Sequence, residues 1–368
     1  MTALDVVIDV VIDRSAAPDT DLTDLVESWS WCRAPRGTSP AAVLVAELDP
    51  RAPQPAMPDW SLLARQRFVI AARTVPELSE LLSSAVTRIA IERRSDAFTL
   101  LHAAGLSHPT SGAVAALVGP SGAGKSTAAQ VLGRTLGYLS DEVVAVGRSR
   151  RVLPFAKPIS IVDHGRPWKR QAHPDALGMT RHRGELRLRR LVVLDRHREH
   201  SGAPEAWPLD VHTAAESIVP NVSSFGRSTR SLAALTALMT ECGGVIRVRY
   251  RDAEDLPPLM LRLLDDAALV QSVARARVDD EVWIGETCYL QLGLELVALA
   301  GVGALVWRML EAPCPERILA EGVVAELASV SGNVSDLAHV ERVIGQLVER
   351  GVLVKGVFPD RVTAPMTA

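Results

Sequence analysis

Residues 119–127 read Gly119-Pro120-Ser121-Gly122-Ala123-Gly124-Lys125-Ser126-Thr127, a G-x-x-x-x-G-K-S loop with every demanded position filled. The pattern constrains the fold because it works only between a strand and a helix. Glycines let the backbone curl until successive N–H groups point inward at phosphate oxygens. The lysine brings a cation to the outer phosphates, and the hydroxyl after it suits Mg²⁺. The flanks agree. Residues 113–118 are a short apolar run of buried-strand type. Residues 125–136 carry good helix formers, and Gly137 is placed to close that helix in the left-handed conformation. Such a unit aims a helix N-terminus at phosphate. Gly119, Ser121, Gly122, Ala123, Gly124, Lys125, Ser126 and Thr127 are therefore the expected ATP-binding residues.

Bulk properties narrow the setting. A chain of 368 residues holds two or three domains with cores of their own. A net charge of −3 and a pI near 6.3 give no global electrostatic case for nucleic acid. The four cysteines lack C-x-x-C spacing, which suits a reducing compartment better than a zinc site or a disulfide framework. Asp5 and Asp9 interrupt the first apolar stretch, so no signal peptide opens the chain. The longest uncharged apolar run, Leu296 to Trp307, is too short to span a bilayer. These readings predict a soluble, cytoplasmic protein with neither membrane nor nucleic acid as partner.

Patterning predicts an α/β chain in three parts. Residues 1–97 read as a small α/β segment, with strands near 3–12 and 41–48 and a helix over 78–91. Residues 98–268 alternate strands and helices around the loop, with a loop-rich, basic stretch over 164–200. The pattern changes near 270–280. Strands at 282–284, 287–292 and 295–299 then precede helices at 302–310, 315–328 and 336–350, with a closing β-piece at 352–354. Residues 278–360 thus read as a winged-helix-like α+β module.

A phosphate loop alone says nothing about what is done with the nucleotide. Phosphoryl transfer needs carboxylates near the γ-phosphate, to hold Mg²⁺ or to deprotonate the attacking hydroxyl. Asp141 and Glu142 follow the next strand, which in a parallel sheet lies beside the loop-bearing one and ends at the same edge. His102 sits on the strand before the loop strand. Asp195 follows the apolar run 191–194 as a second carboxylate, although such residues also cap turns. The basic stretch reads first as a solvated face, with Lys169 and Arg170 as the residues placed to contact nucleotide or acceptor. His164, His173 and His182 lack metal-ligand spacing.

The text "LLHAAGL…AVAALVGPSGAGKSTAAQVLGRTLGYLSDEVVAV…VLPFAKPISI" resembles the catalytic domain of HPr kinase/phosphorylase, and more closely its shorter relatives found beside peptide-modification genes. Histidine, loop, acidic turn and the segment 154–158 recur in that order. The resemblance implies a P-loop kinase using ATP and Mg²⁺. Asp141 would be the base or a metal ligand, His102 would lie near the transferred phosphate, and Lys125 would neutralise it. Ser126, Asp141 and Glu142 would be the metal-side residues. The family usually has two aspartates in the turn, and Glu142 departs from that. Related kinases form rings, so a homo-oligomer is compatible with the resemblance.

Residues 281–355, "YLQLGLELVALAGVGALVWRMLEAPCPERILAEGVVAEL…DLAHVERVIGQLVERGVLV", resemble the PqqD-like peptide chaperone, or RiPP recognition element. Such modules bind a precursor's leader peptide as an added strand beside a helix. Here the edge is expected within 287–299 and the helix at 336–350. Asp336, Glu341 and Glu349 offset Arg342 and Arg350, unlike a basic DNA-recognition helix. Two functions follow as expectations. One is an ATP-dependent kinase acting on Ser or Thr of a ribosomally made peptide held by its leader. The other is an inactive kinase-like adaptor presenting that peptide to separate modifying enzymes.

Overall fold

The computed structural model describes residues 1–52, 66–120, 122–163, 165, 167–182, 184–223, 225, 231–265, 269–311, 313–331 and 336–359. The chain is α/β and divides into two compact units. The first comprises 1–205, 215–242 and 248–264; the second comprises 206–214, 243–247 and 265–368.

The first unit opens with a four-stranded sheet in sequence order: Thr2–Ala3, Val6–Asp13, Ala42–Leu48 and Arg67–Ala72. The last three strands are parallel, a geometry that needs apolar cover. Helix Val75–Arg94 carries buried Leu78, Leu82, Val86 and Ile89 into the same core as the sheet. It is longer than the predicted 78–91 because Thr74 accepts a hydrogen bond from the Glu77 amide, while the Glu77 carboxylate accepts one from the Arg73 amide. This reciprocal cap starts the helix one turn earlier. The apolar core runs on from this sheet through Leu100 and Val143 to Phe155, so residues 1–97 and the start of the next region are packed as one body.

Around the phosphate loop, five strands lie side by side in the order Thr180–Arg181, Gly137–Ser140, Ala104–Ser107, Ala113–Val118, Arg187–Arg196. This corrects the expected pairing. Gly137–Ser140 does not adjoin the loop-bearing strand, because Ala104–Ser107 is inserted between them, antiparallel to both. Two antiparallel steps restore the direction, so both flanking strands still end at one edge. In register, Ser140 opposes Gly105, which opposes Ala116.

The helix after the loop is also shorter than expected. It spans Lys125–Leu132, with Gly133 as its right-handed C-cap. Gly137 opens the next strand instead of closing the helix. A Cβ there would come within 2.4 Å of Ser107 Oγ and 2.7 Å of His182 Cβ, so this glycine serves close strand packing.

The second unit contains a three-stranded antiparallel sheet, Asp280–Ile284, Thr287–Leu292 and Glu295–Leu299. Helices Val302–Met309, Glu316–Ser331 and Leu337–Glu349 follow. Cys288, Leu290, Val297 and Leu299 point from the sheet into the core that Trp307, Leu319 and Ile344 bring from the helices. The closing strand Leu353–Pro359 pairs antiparallel with Leu269–Arg275, a strand absent from the sequence expectation. Among the described residues, no helix is long and apolar enough to cross a membrane.

Candidate active site and a groove of the second unit

The phosphate loop is built as a backbone cradle. Gly122 and Gly124 hold φ of 85° and 86°, where a side chain would strain the chain. A Cβ on Gly124 would also sit 2.9 Å from the Tyr250 hydroxyl, whose proton is donated to Ala123 O at 3.1 Å. No side chain caps the helix at Gly124, so the first-turn N–H groups face the cradle without one. Lys125 Nζ donates to the carbonyls of Gly119 (2.6 Å) and Pro120 (3.2 Å), and burial lowers its pKa. Ser121 lies outside the described residues.

Asp141 and Glu142 follow strand Gly137–Ser140, and their turn is pinned locally. Ser140 Oγ accepts hydrogen bonds from the amides of Glu142 (3.2 Å) and Val143 (3.0 Å). The buried Tyr138 hydroxyl donates to Asp141 Oδ1 at 3.1 Å. Lys157, with a side chain only 1% exposed, places Nζ 3.2 Å from Asp141 Oδ1 and 3.2 Å from Glu142 Oε2. Thr87 Oγ1 donates to Glu142 Oε2 at 3.4 Å. Burial opposes the charge on Lys157, but the Asp141 and Glu142 carboxylates more than offset it, so its pKa is raised. Burial first, then the neighbouring carboxylate, pushes the Tyr138 hydroxyl well above its ordinary value, keeping it a donor.

His102 is not on a strand. It occupies the bend between Thr99–Leu101 and Ala104–Ser107. Its amide donates to Asn221 O at 2.6 Å, and the next amide, of Ala103, donates to Glu142 O at 3.1 Å. Burial, followed by the charge of Lys125, lowers the imidazole pKa.

These groups converge on one cavity of about 410 Å³, lined by His102, Gly122, Gly124, Lys125, Ser126, Thr127, Asp141 and Glu142. Lys157, Lys169 and Arg196 complete the cationic part of its wall. The carboxylates face the phosphate loop across a site rich in positive charge. Asp195 stands apart, holding Arg249 Nε and Nη2 at 3.0 and 2.5 Å, and is not part of this lining. Arg170 pairs with Asp163 at 3.5 Å and lies off the cavity too. His173 Nε2 meets Ser30 Oγ at 2.6 Å while Nδ1 accepts the Asp175 amide, a structural contact between segments. His164 lies outside the described residues, as do Arg166 and Arg183 of the basic stretch 164–200.

Lys157 is the residue of this site that sequence reasoning passed over. Its signal was present: a single lysine inside the apolar run Leu153-Pro154-Phe155-Ala156-Lys157-Pro158. A buried lysine needs an anionic partner, and the acidic turn is the nearest candidate.

The donor set fits Mg²⁺. Ser126 and Asp141 offer hard oxygens on one cavity, the sparse protein contribution expected where phosphates supply the remaining ligands. Among the described residues, no cluster of three or more His, Cys, Asp or Glu could hold a metal unaided. Glu142, expected as a metal-side residue, lines the same cavity with its Oε2 held by Lys157 and Thr87.

In the second unit, Thr287–Leu292 is paired on both sides and presents no strand edge. Of the expected range 287–299, only Glu295–Leu299 is an edge among the described residues. Beside it runs a groove of about 460 Å³, lined by Ala298 and Leu299 of the strand and His339, Val343 and Gln346 of helix Leu337–Glu349.

No family model matches the chain, and no curated protein matches it by sequence. Among solved structures, the HPr(Ser) kinase/phosphatase from Coxiella burnetii aligns with 45% of this chain and 92% of its own length, at 13% identity and a TM-score of 0.26. A score that low carries no argument.

Proposed function

We propose that the protein is an ATP-dependent kinase that phosphorylates a Ser or Thr of a ribosomally made precursor peptide, held through its leader by the second unit. The observation that carries this reading is the convergence of the phosphate cradle with Asp141 on one cavity. Nucleotide binding needs the cradle and an oxygen for the metal; transfer to a hydroxyl also needs a carboxylate placed to take the acceptor's proton.

Each residue has a task. The cradle N–H groups and Lys125 bind and orient the phosphate chain, and Lys125 reaches them by leaving its contacts with Gly119 and Pro120. Ser126 and Glu142, both on the cavity, would hold Mg²⁺, which when bound neutralises phosphate charge. Asp141, fixed through Oδ1 by Tyr138 and Lys157, takes the proton of the acceptor hydroxyl. His102, its pKa lowered, stays neutral near pH 7 and serves as a hydrogen-bonding partner near the transferred group. Lys157 cannot leave its pocket, so it acts through the carboxylates it holds.

The groove of the second unit supports the peptide half. An edge strand beside a helix is the geometry that captures an extended segment by strand addition, with side chains dropping into the groove. Holding the leader raises the effective concentration of the acceptor, so the active site itself needs little grip on it.

One observation favours the adaptor reading. Glu142, standing where the resembled kinases carry a second aspartate, is tied to Lys157 and Thr87. An adaptor would bind ATP and leader and transfer nothing. Incubation with γ-labelled ATP and the precursor separates the two: label in the peptide supports the kinase, and leader binding without label supports the adaptor.

A further inference from the structure

A second cavity, of about 710 Å³, adjoins the nucleotide cavity and has no task so far. Its walls are helix Thr23–Ser28, the first turn of helix Val75–Arg94 and residues 167–171. Leu25, Val75, Pro76, Pro167 and Trp168 make the lining largely apolar, with Lys169 and Arg170 at one side. All of these walls belong to the first unit.

Two features join it to the nucleotide cavity. Lys169 lines both. Ser160, in the nucleotide cavity, is the register partner of Gln171, in the second, and Ser160 Oγ donates to Gln171 Oε1 at 3.1 Å. The strand pair Ile159–Ile161 and Arg170–Ala172 is thus a common wall. That wall is fixed to the helix, since the Lys169 amide donates to Glu80 Oε2 at 2.7 Å. Gln171 Nε2 is buried and has no hydrogen-bond partner among the described residues. A buried amide donor left this way invites an acceptor from a ligand.

We infer that this cavity takes a large apolar side chain of the acceptor peptide, one adjacent to the Ser or Thr that is phosphorylated, with a peptide carbonyl accepting the Gln171 Nε2–H. The inference rests on the kinase reading and names what that reading leaves open, the sequence preference at the acceptor. An apolar chamber with one unmet donor matches a hydrophobic side chain on a polar backbone. Its continuity with the nucleotide cavity through Lys169 and Ser160 puts that backbone beside the phosphates.

The test uses fluorescein-labelled peptides of the form Gly-Gly-Ser-X-Gly-Gly, with X as Phe, Leu, Gly or Lys, and the full-length protein. Anisotropy reads binding and γ-labelled ATP reads transfer. Phe and Leu peptides should bind at least tenfold more tightly than Gly or Lys peptides. Ser79→Phe, which fills the cavity from its helix wall, should erase that difference, as should Val75→Phe. A fluorescent ATP analogue should bind both variants as it binds the parent, confirming that they fold. Equal binding of all four peptides overturns the inference, as does a preference that survives both substitutions. Selective binding of Phe and Leu peptides upholds the pocket whatever the transfer, and absence of label from the leader-bearing precursor as well rejects the kinase, so the two failures are distinguishable.

Discussion

The nucleotide cavity and the C-terminal groove are built from opposite materials. The first gathers buried charge: Lys125, Asp141 and Lys157 are each less than a tenth exposed, and Asp141 is tied to Lys157 and Tyr138 by an ion pair and a hydrogen bond. The second offers a strand edge and a helix face, with only His339, Glu349 and Arg350 as charge-bearing groups in its lining. Under the proposed function the difference matches what each would handle. Phosphate chemistry needs charges fixed in advance where water cannot relax around them. Leader capture needs backbone donors and acceptors in a row, with side-chain pockets beside them. Substitutions should therefore fail in different currencies, rate or stability at the cavity and affinity at the groove.

The largest expected effect is on rate. Asp141→Asn keeps the shape but cannot take the acceptor proton, so peptide phosphorylation should fall by about 10²–10⁴-fold. ATP affinity should change little, as measured by calorimetry. Loss of leader binding in that variant would break the separation drawn here.

Next comes stability. Lys157→Met strips the buried cation from Asp141 and Glu142, and breaking a buried pair costs about 3–5 kcal/mol. Denaturant unfolding of the first unit should shift accordingly, while an unshifted midpoint would mean that the carboxylates find another partner.

At the groove, Gly303→Phe is the matching probe. A Cβ at Gly303 meets nothing within 4 Å, and the residue lines the groove. The ring should block the leader and weaken its binding about tenfold or more, near 1.4 kcal/mol. Helix propensity should meanwhile rise slightly. ATP binding should be unaffected, and an unchanged leader affinity would remove the groove from the account.

The smallest effect concerns His102. Its folded pKa is lowered, so above the ordinary histidine range both folded and unfolded states are neutral and nothing is lost. As pH falls through that range, the unfolded chain takes up the proton first and the native state loses stability. The loss levels off below the folded pKa. His102→Gln should flatten this acid-side slope in a pH series of unfolding midpoints.

Much of this was legible in the sequence, for physical reasons that differ by site. The strand, loop and helix at 113–132 could be read because glycine spacing and apolar runs are local signals. The three strands and three helices of the second unit could be read from their periodicity in the same way. The inserted antiparallel strand Ala104–Ser107 could not, since four small and apolar residues fit either neighbour until the pairing is known. Leu269–Arg275 was missed because its partner lies some 80 residues away in sequence, at Leu353–Pro359. Gly133 and Gly137 look alike on paper, and only the contact with Ser107 and His182 separates the helix end from the strand start. Lys157 was missed because its meaning depends on two carboxylates brought to it by tertiary packing.

The central claim is that phosphate bound at 119–127 passes to a peptide held by the second unit. Mass spectrometry of the cognate precursor, incubated with ATP, Mg²⁺ and either wild-type protein or Asp141→Asn, tests it most directly. The expected result is one added phosphate on a Ser or Thr outside the leader with the wild type, and none with the variant. A precursor that binds tightly yet emerges unmodified from the wild type, or equally phosphorylated by the variant, would contradict it.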